Sequence, residues 1–112
     1  MNTIQVPIKV SDEDLENILF SAFCSAKYWL YDRNIDYIDK LTYKLQIPIT
    51  DDDSEFEERT LNKEKLLAGL RQFIGEYGCN TDGEGQIDTC ALDNCDCEII
   101  LQYALFGTQV FG

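Results

Sequence analysis

The chain contains no histidine. Any site it builds therefore lacks the commonest general base and the commonest metal ligand. Cations are scarce as well. Nine Lys and Arg stand against twenty-one Asp and Glu, for a formal charge of −12 over 112 residues. None of the nine lies beyond Arg71, so Glu76, Asp82, Glu84, Asp88, Asp93, Asp96 and Glu98 make the last third purely anionic. Phosphates need Lys and Arg to displace their counterions, so direct nucleic-acid binding is not expected. No apolar run reaches the length of a membrane span, which predicts no membrane partner. Residues 1–10 carry no signal-peptide core, and the expected location is the cytoplasm. The five cysteines are an odd number without an export signal, which argues against a disulfide framework.

What is present is a core. Hydrophobic residues make up 45% of the chain, enough for one domain over residues 1–112. Ile4, Val6, Ile8 and Val10 alternate, which predicts a strand over 3–10 with Pro7 on its other face. Ser11 is an N-cap ahead of Asp12, Glu13 and Asp14. Leu15, Ile18, Leu19, Ala22, Phe23 and Ala26 then give a helical stripe over about 12–29. Tyr28, Trp29, Tyr31 and Tyr37 cluster at its end, either closing the core or forming an aromatic contact patch. Alternation resumes over 41–50, and 56–61 reads as a strand pairing back across an acidic turn. Asn62 caps a second helix ending at Gly78; Gly69 inside it signals close approach by another element. Asp93 caps a third, apolar nearly all round and stopped by Gly107; Val110 and Phe111 suggest a closing strand. The expected class is α+β, with a small antiparallel sheet of about three strands on about three helices. The expected order is β-α-β-β-α-α, with a final β.

Motifs for catalysis are missing: no nucleophile elbow, Walker or dinucleotide fingerprint occurs. The cysteines near the C-terminus sit among acids, which raise a thiol pKa. The expectation is a non-enzyme without a cofactor. Cys79, Cys90, Cys95 and Cys97 could in number make a zinc site, but the spacings C-x10-C, C-x4-C and C-x-C are not zinc knuckles. Residues 80–88 match much of an EF-hand loop, with Asn80, Asp82 and Glu84 as ligands and Gly85 at the turn. The closing position is Ala91 where a bidentate Glu is needed.

The ending Ile99-Ile100-Leu101-Gln102-Tyr103-Ala104-Leu105-Phe106-Gly107, followed by Val110-Phe111-Gly112, resembles that of small acidic proteins of Firmicutes phages and integrative elements. The opening Ser11-Asp12-Glu13-Asp14, the pair Tyr28-Trp29 and the steps Ile87-Asp88 and Leu92-Asp93 fit the same family, outside 32–60. The resemblance implies a mobile-element context and no active site. In that context the expected function is a protein-binding accessory factor, such as an inhibitor of host defence of the anti-CRISPR kind. Its partner would be a host protein with a basic surface. The expected contacts are Asp51, Asp52, Asp53, Glu55, Glu57 and Glu58 with Tyr28, Trp29 and Tyr31. Two alternatives stand beside it. One is a small-ligand or metal module using 80–88; the other is a structural protein self-associating, as a homodimer, through the third helix and the tail.

Overall fold

A computed structural model describes residues 8–49 and 55–112. Helix α1 (Asp12–Ser25) begins as its sequence requires. The Ser11 hydroxyl accepts the Asp14 N–H, and the Asp14 carboxylate accepts the Ser11 N–H, both at 3.0 Å. Burial opposes the ionised form of Asp14. The bonds from Ser11 and Gln86 more than offset it, so its pKa is lowered. The α-helix is shorter than the stripe over 12–29 suggested. It ends at Ser25, and a 3-10 turn, Ala26–Tyr28, carries the chain to Trp29.

Three strands follow: β1 (Ile35–Asp39), β2 (Thr42–Pro48) and β3 (Phe56–Leu61). They form an antiparallel sheet in the order β1-β2-β3. β1 was not expected. Tyr37 belongs to it rather than to a cluster at the end of α1, and its ring meets Tyr43 edge-on at 5.6 Å. The strand eluded the pattern because four of its five residues are exposed, so no alternation betrays it. Its turn places Leu41 at φ 56° with the side chain buried, a strained conformation that core burial sustains. The strand expected over 3–10 lies mostly outside the described residues; within them, Lys9 bridges Gln86 in parallel.

Helices α2 (Lys63–Tyr77) and α3 (Asn94–Phe106) complete the described order α-β-β-β-α-α, with a 3-10 turn, Thr89–Ala91, before α3. Asn62 caps α2 through the Lys65 N–H, and Asp93 and Asp96 make a reciprocal box at the start of α3. α3 packs against both α1 and α2, which explains an apolar sequence on every side. Gly69 is where α2 and α3 touch most closely. A Cβ there would lie 2.6 Å from the Ala104 nitrogen and the Ile100 oxygen.

Leu41, Leu45, Ile47 and Leu61 of the sheet join Leu15, Ile18, Leu19, Leu66, Leu70, Ile100 and Leu101 in one core. The helices cover a single face of the sheet. On the other face Lys44 and Glu58 are exposed and Gln46 is half-buried. Among the described residues no helix is long and apolar enough to cross a membrane.

Candidate functional site

Two polar residues interrupt the apolar surface of α3 one turn apart: Glu98, 7% exposed, and Gln102, fully buried. Buried polar groups need partners, and both are supplied. The Glu98 carboxylate accepts four bonds. Ser25 Oγ donates to one oxygen at 2.8 Å. Tyr28 OH at 2.5 Å, Trp29 Nε1 at 3.2 Å and Gln102 Nε2 at 3.0 Å donate to the other. No cation pairs with it among the described residues. Burial, and after it the bond to Glu98, pushes the Tyr28 hydroxyl up to about 12.

Gln102 holds the C-terminal residues. Its Oε1 accepts the Val110 and Phe111 N–H groups at 2.7 and 2.8 Å, and its Nε2 donates to the Phe111 carbonyl at 3.0 Å. The Phe111 ring stacks on Trp29, centroids 4.5 Å apart and planes 6° from parallel, and meets Phe106 edge-on. The closing strand expected at Val110 and Phe111 does not form. A side-chain amide takes the backbone bonds that a neighbouring strand would have taken. Gly107, in the left-handed region at φ 73°, turns the chain out of α3 to reach this place.

The docked tail becomes one wall of an open groove of about 680 Å³. Trp29, Phe106 and Phe111 form its apolar floor, Ile47, Pro48, Ile49, Glu57 and Arg59 its sheet side, and Tyr28 and Val110 its rim. Arg59 is engaged through each of its three guanidinium nitrogens. Its Nε and Nη2 lie on one Glu57 oxygen at 3.3 and 3.2 Å, Nη1 donates to the Leu105 carbonyl at 2.8 Å, and the guanidinium lies over Phe106. The other Glu57 oxygen has no partner among the described residues. Tyr28, Ile49 and Val110 on this groove are 55%, 57% and 57% exposed.

The structure thus gathers three of the expected contact residues, Tyr28, Trp29 and Glu57, around one groove. Trp29 enters it as buried floor, not as a contact tip. Glu55 is exposed and lies on the groove side of the sheet, whereas Glu58 points to the opposite face and accepts from Gln46. Tyr31 is half-buried with the Arg33 guanidinium 5.0 Å over its ring. Asp51, Asp52 and Asp53 lie outside the described residues. The remaining carboxylates do not form one array with Glu57: Asp36 is on β1, Glu64 on α2 and Asp96 on α3. Glu98, Gln102, Arg59, Phe106 and Phe111 were not anticipated as site residues. Glu98 and Gln102 were detectable in principle, as the only long polar side chains within an otherwise apolar helix stretch.

Residues 80–88 fold as a small hairpin-like loop, with Thr81 bridged to Ile87 and the Asp88 N–H donating to the Asn80 carbonyl. Asp82 spends one carboxylate oxygen on the Glu84 and Gln86 N–H groups at 2.8 and 3.0 Å, which locks the turn from within. Glu84 is exposed. Among the described residues no three His, Cys, Asp or Glu side chains are grouped to hold a metal ion. The four cysteines from Cys79 onward do not converge; Cys90 and Cys95 are exposed and Cys97 is buried against α1. Burial, with Asp96 and Asp93 nearby, pushes the Cys97 thiol up to about 11.

Fold and groove together define a two-layer α+β arrangement with one sheet face left uncovered by the described residues and an open, aromatic-floored cleft. No family model, curated protein or solved structure matches the chain.

Proposed function

We propose that this protein is a non-catalytic binding module whose groove between the sheet and the C-terminal tail receives part of another protein. One observation carries the reading. Exposed apolar side chains, Ile49 and Val110, border a preformed apolar cleft beside the Glu57 carboxylate, one oxygen of which has no partner among the described residues. Exposed apolar surface rimmed by polar groups is what protein contact sites present. The acidity of the chain favours a basic partner. The resemblance of its ending to mobile-element proteins favours a cytoplasmic host protein, with inhibition of a host defence system as the role. Glu98, the one buried carboxylate of the site, accepts from four neutral donors, an arrangement that suits a positioning role for Trp29 and Gln102.

Co-purification from host lysate at low and high salt, with partners identified by mass spectrometry, tests this. A stoichiometric basic partner held at low salt and lost from Val110→Arg is expected. Capture of the same proteins by wild type and Val110→Arg would refute the groove as the contact.

The groove volume also falls in the range that holds small ligands, roughly 300–1,000 Å³. Its open rim favours a chain segment over an enclosed small molecule.

A further inference from the structure

The groove lies beside an open strand edge. In the β2–β3 pair the Ile49 N–H donates to the Glu55 carbonyl. Alternation along an antiparallel ladder then turns the backbone groups of Glu57, Arg59 and Leu61 toward β2, and those of Phe56, Glu58 and Thr60 outward. The Thr60 carbonyl accepts from Lys65 Nζ at 2.7 Å. Among the described residues nothing takes the outward N–H and C=O groups of Phe56 and Glu58. The opposite edge differs. β1 is interrupted by a register shift between Tyr37 and Asp39 and carries Asp36 and Asp39, features that discourage strand addition.

Resting on the binding-module reading, we infer that the Phe56–Glu58 edge and the adjacent groove together receive an extended segment of the partner that alternates basic and apolar residues. Main-chain bonds to Phe56 and Glu58 would add it as a further strand. Alternate side chains of such a strand share the face of Glu57 and Arg59, which is the groove face. An aliphatic or aromatic side chain there meets Phe106, Phe111 and Val110. The alternate Lys or Arg side chains fall on the opposite face, beside Glu58, which is exposed there and has no ion pair among the described residues. The chain's formal charge of −12 disfavours an acidic segment.

The test uses the isotope-labelled full chain and a capped octapeptide alternating lysine with phenylalanine and valine, followed by amide chemical shifts at low salt. Controls are the same peptide with glutamate for lysine, and octalysine. The lysine–apolar peptide should shift Ile47, Ile49, Phe56, Glu58 and residues 106–111, and bind at least tenfold more tightly than either control. Glu58→Pro removes one outward N–H without touching the β2 ladder and should weaken binding at least tenfold more than Glu58→Gln, which loses the same charge but keeps that N–H. Val110→Arg gives a second loss should proline disturb β3. Equal binding by Glu58→Pro and Glu58→Gln, with Val110→Arg unaffected, overturns the inference. So does equal binding of the three peptides, or shifts that map elsewhere. A concentration-dependent dimer using these same residues would reassign the edge to a second copy. If a lysate partner is captured but ignores these variants, the edge fails while the binding-module reading survives.

Discussion

Gln102→Met isolates the device that shapes the groove. Methionine is unbranched and close in length to glutamine, so the core volume of α3 is kept while all four hydrogen bonds are lost. Each such bond contributes about 1 kcal/mol net, giving an upper figure of about 4 kcal/mol. Three of the four partners belong to the tail, and once undocked its N–H and C=O groups bond to water, which recovers part of the cost. The expected loss is about 2–4 kcal/mol, or roughly 8–17 °C in melting temperature for a domain of this size. Trp29 reports the site directly, because it is the only tryptophan, is buried, and stacks on Phe111. Urea unfolding followed by its fluorescence should show the lowered midpoint. The folded baseline itself should shift to the red as Phe111 leaves. Phe111→Ala should mimic the effect, and the double variant should fall short of additivity by at least about 1 kcal/mol, since an undocked tail has nothing further to lose. A Gln102→Met chain with the wild-type midpoint and an unshifted emission maximum would refute this account of the tail.

Other outcomes follow from single contacts. Gly69→Ala gains helix propensity but drives a Cβ into the α3 backbone, and should cost about 1–3 kcal/mol by chemical denaturation; a neutral or stabilising result would show that α2 and α3 can separate at little cost. Phenolate absorbance should resolve a late-titrating group of tyrosines. Tyr28 is shifted to about 12 by burial and Glu98, Tyr103 upward by its bond to Glu76, and Tyr43 upward by burial. Because these folded-state values are raised, their stabilising effect is complete below about pH 10 and is lost as pH climbs toward about 12; all six tyrosines titrating together near 10 would contradict it. With a thiol reagent at neutral pH, Cys24, Cys90 and Cys95 should react quickly and Cys97 only on unfolding, given its burial and raised pKa. Fast labelling of Cys97 would place it at the surface.

The elements that could be read from sequence are those whose local chemistry and burial agree. Ser11, Asn62 and Asp93 announce helices because their side chains cap the very N–H groups a helix start leaves orphaned. Gly69 announced close packing because only contact with another backbone repays its propensity cost. β1 stayed hidden because an exposed edge strand needs no alternation. The groove stayed hidden for a deeper reason. Its parts come from the 3-10 turn after α1, β2, β3, α3 and the tail, and the bond from Arg59 to Leu105 spans 46 residues. No local pattern encodes such a meeting. The acidic residues were read as one contact surface because sequence proximity was their only visible relation. In the sheet, adjacent Glu57 and Glu58 face opposite ways.

The pairing of Glu98 with Gln102 separates specificity from stability. A buried carboxylate without a cation costs desolvation energy, and an apolar replacement of similar volume is often neutral or stabilising in such places. Its retention makes sense if the pair orients the tail: Glu98 fixes the amide of Gln102, whose oxygen is then left facing Val110 and Phe111. Glu98→Gln tests the division of labour. The new amide can turn its oxygen to Tyr28, Trp29 and Gln102, and its NH₂ to Ser25, whose hydroxyl accepts as readily as it donates. The three bonds lose charge assistance, the desolvation penalty falls, and the net change should stay within about 1–2 kcal/mol. Gln102 keeps its orientation, so the folded-state emission of Trp29 should remain that of the wild type, in contrast to Gln102→Met. A red-shifted folded spectrum in Glu98→Gln would mean that the negative charge itself, and not the geometry it enforces, holds the tail in place.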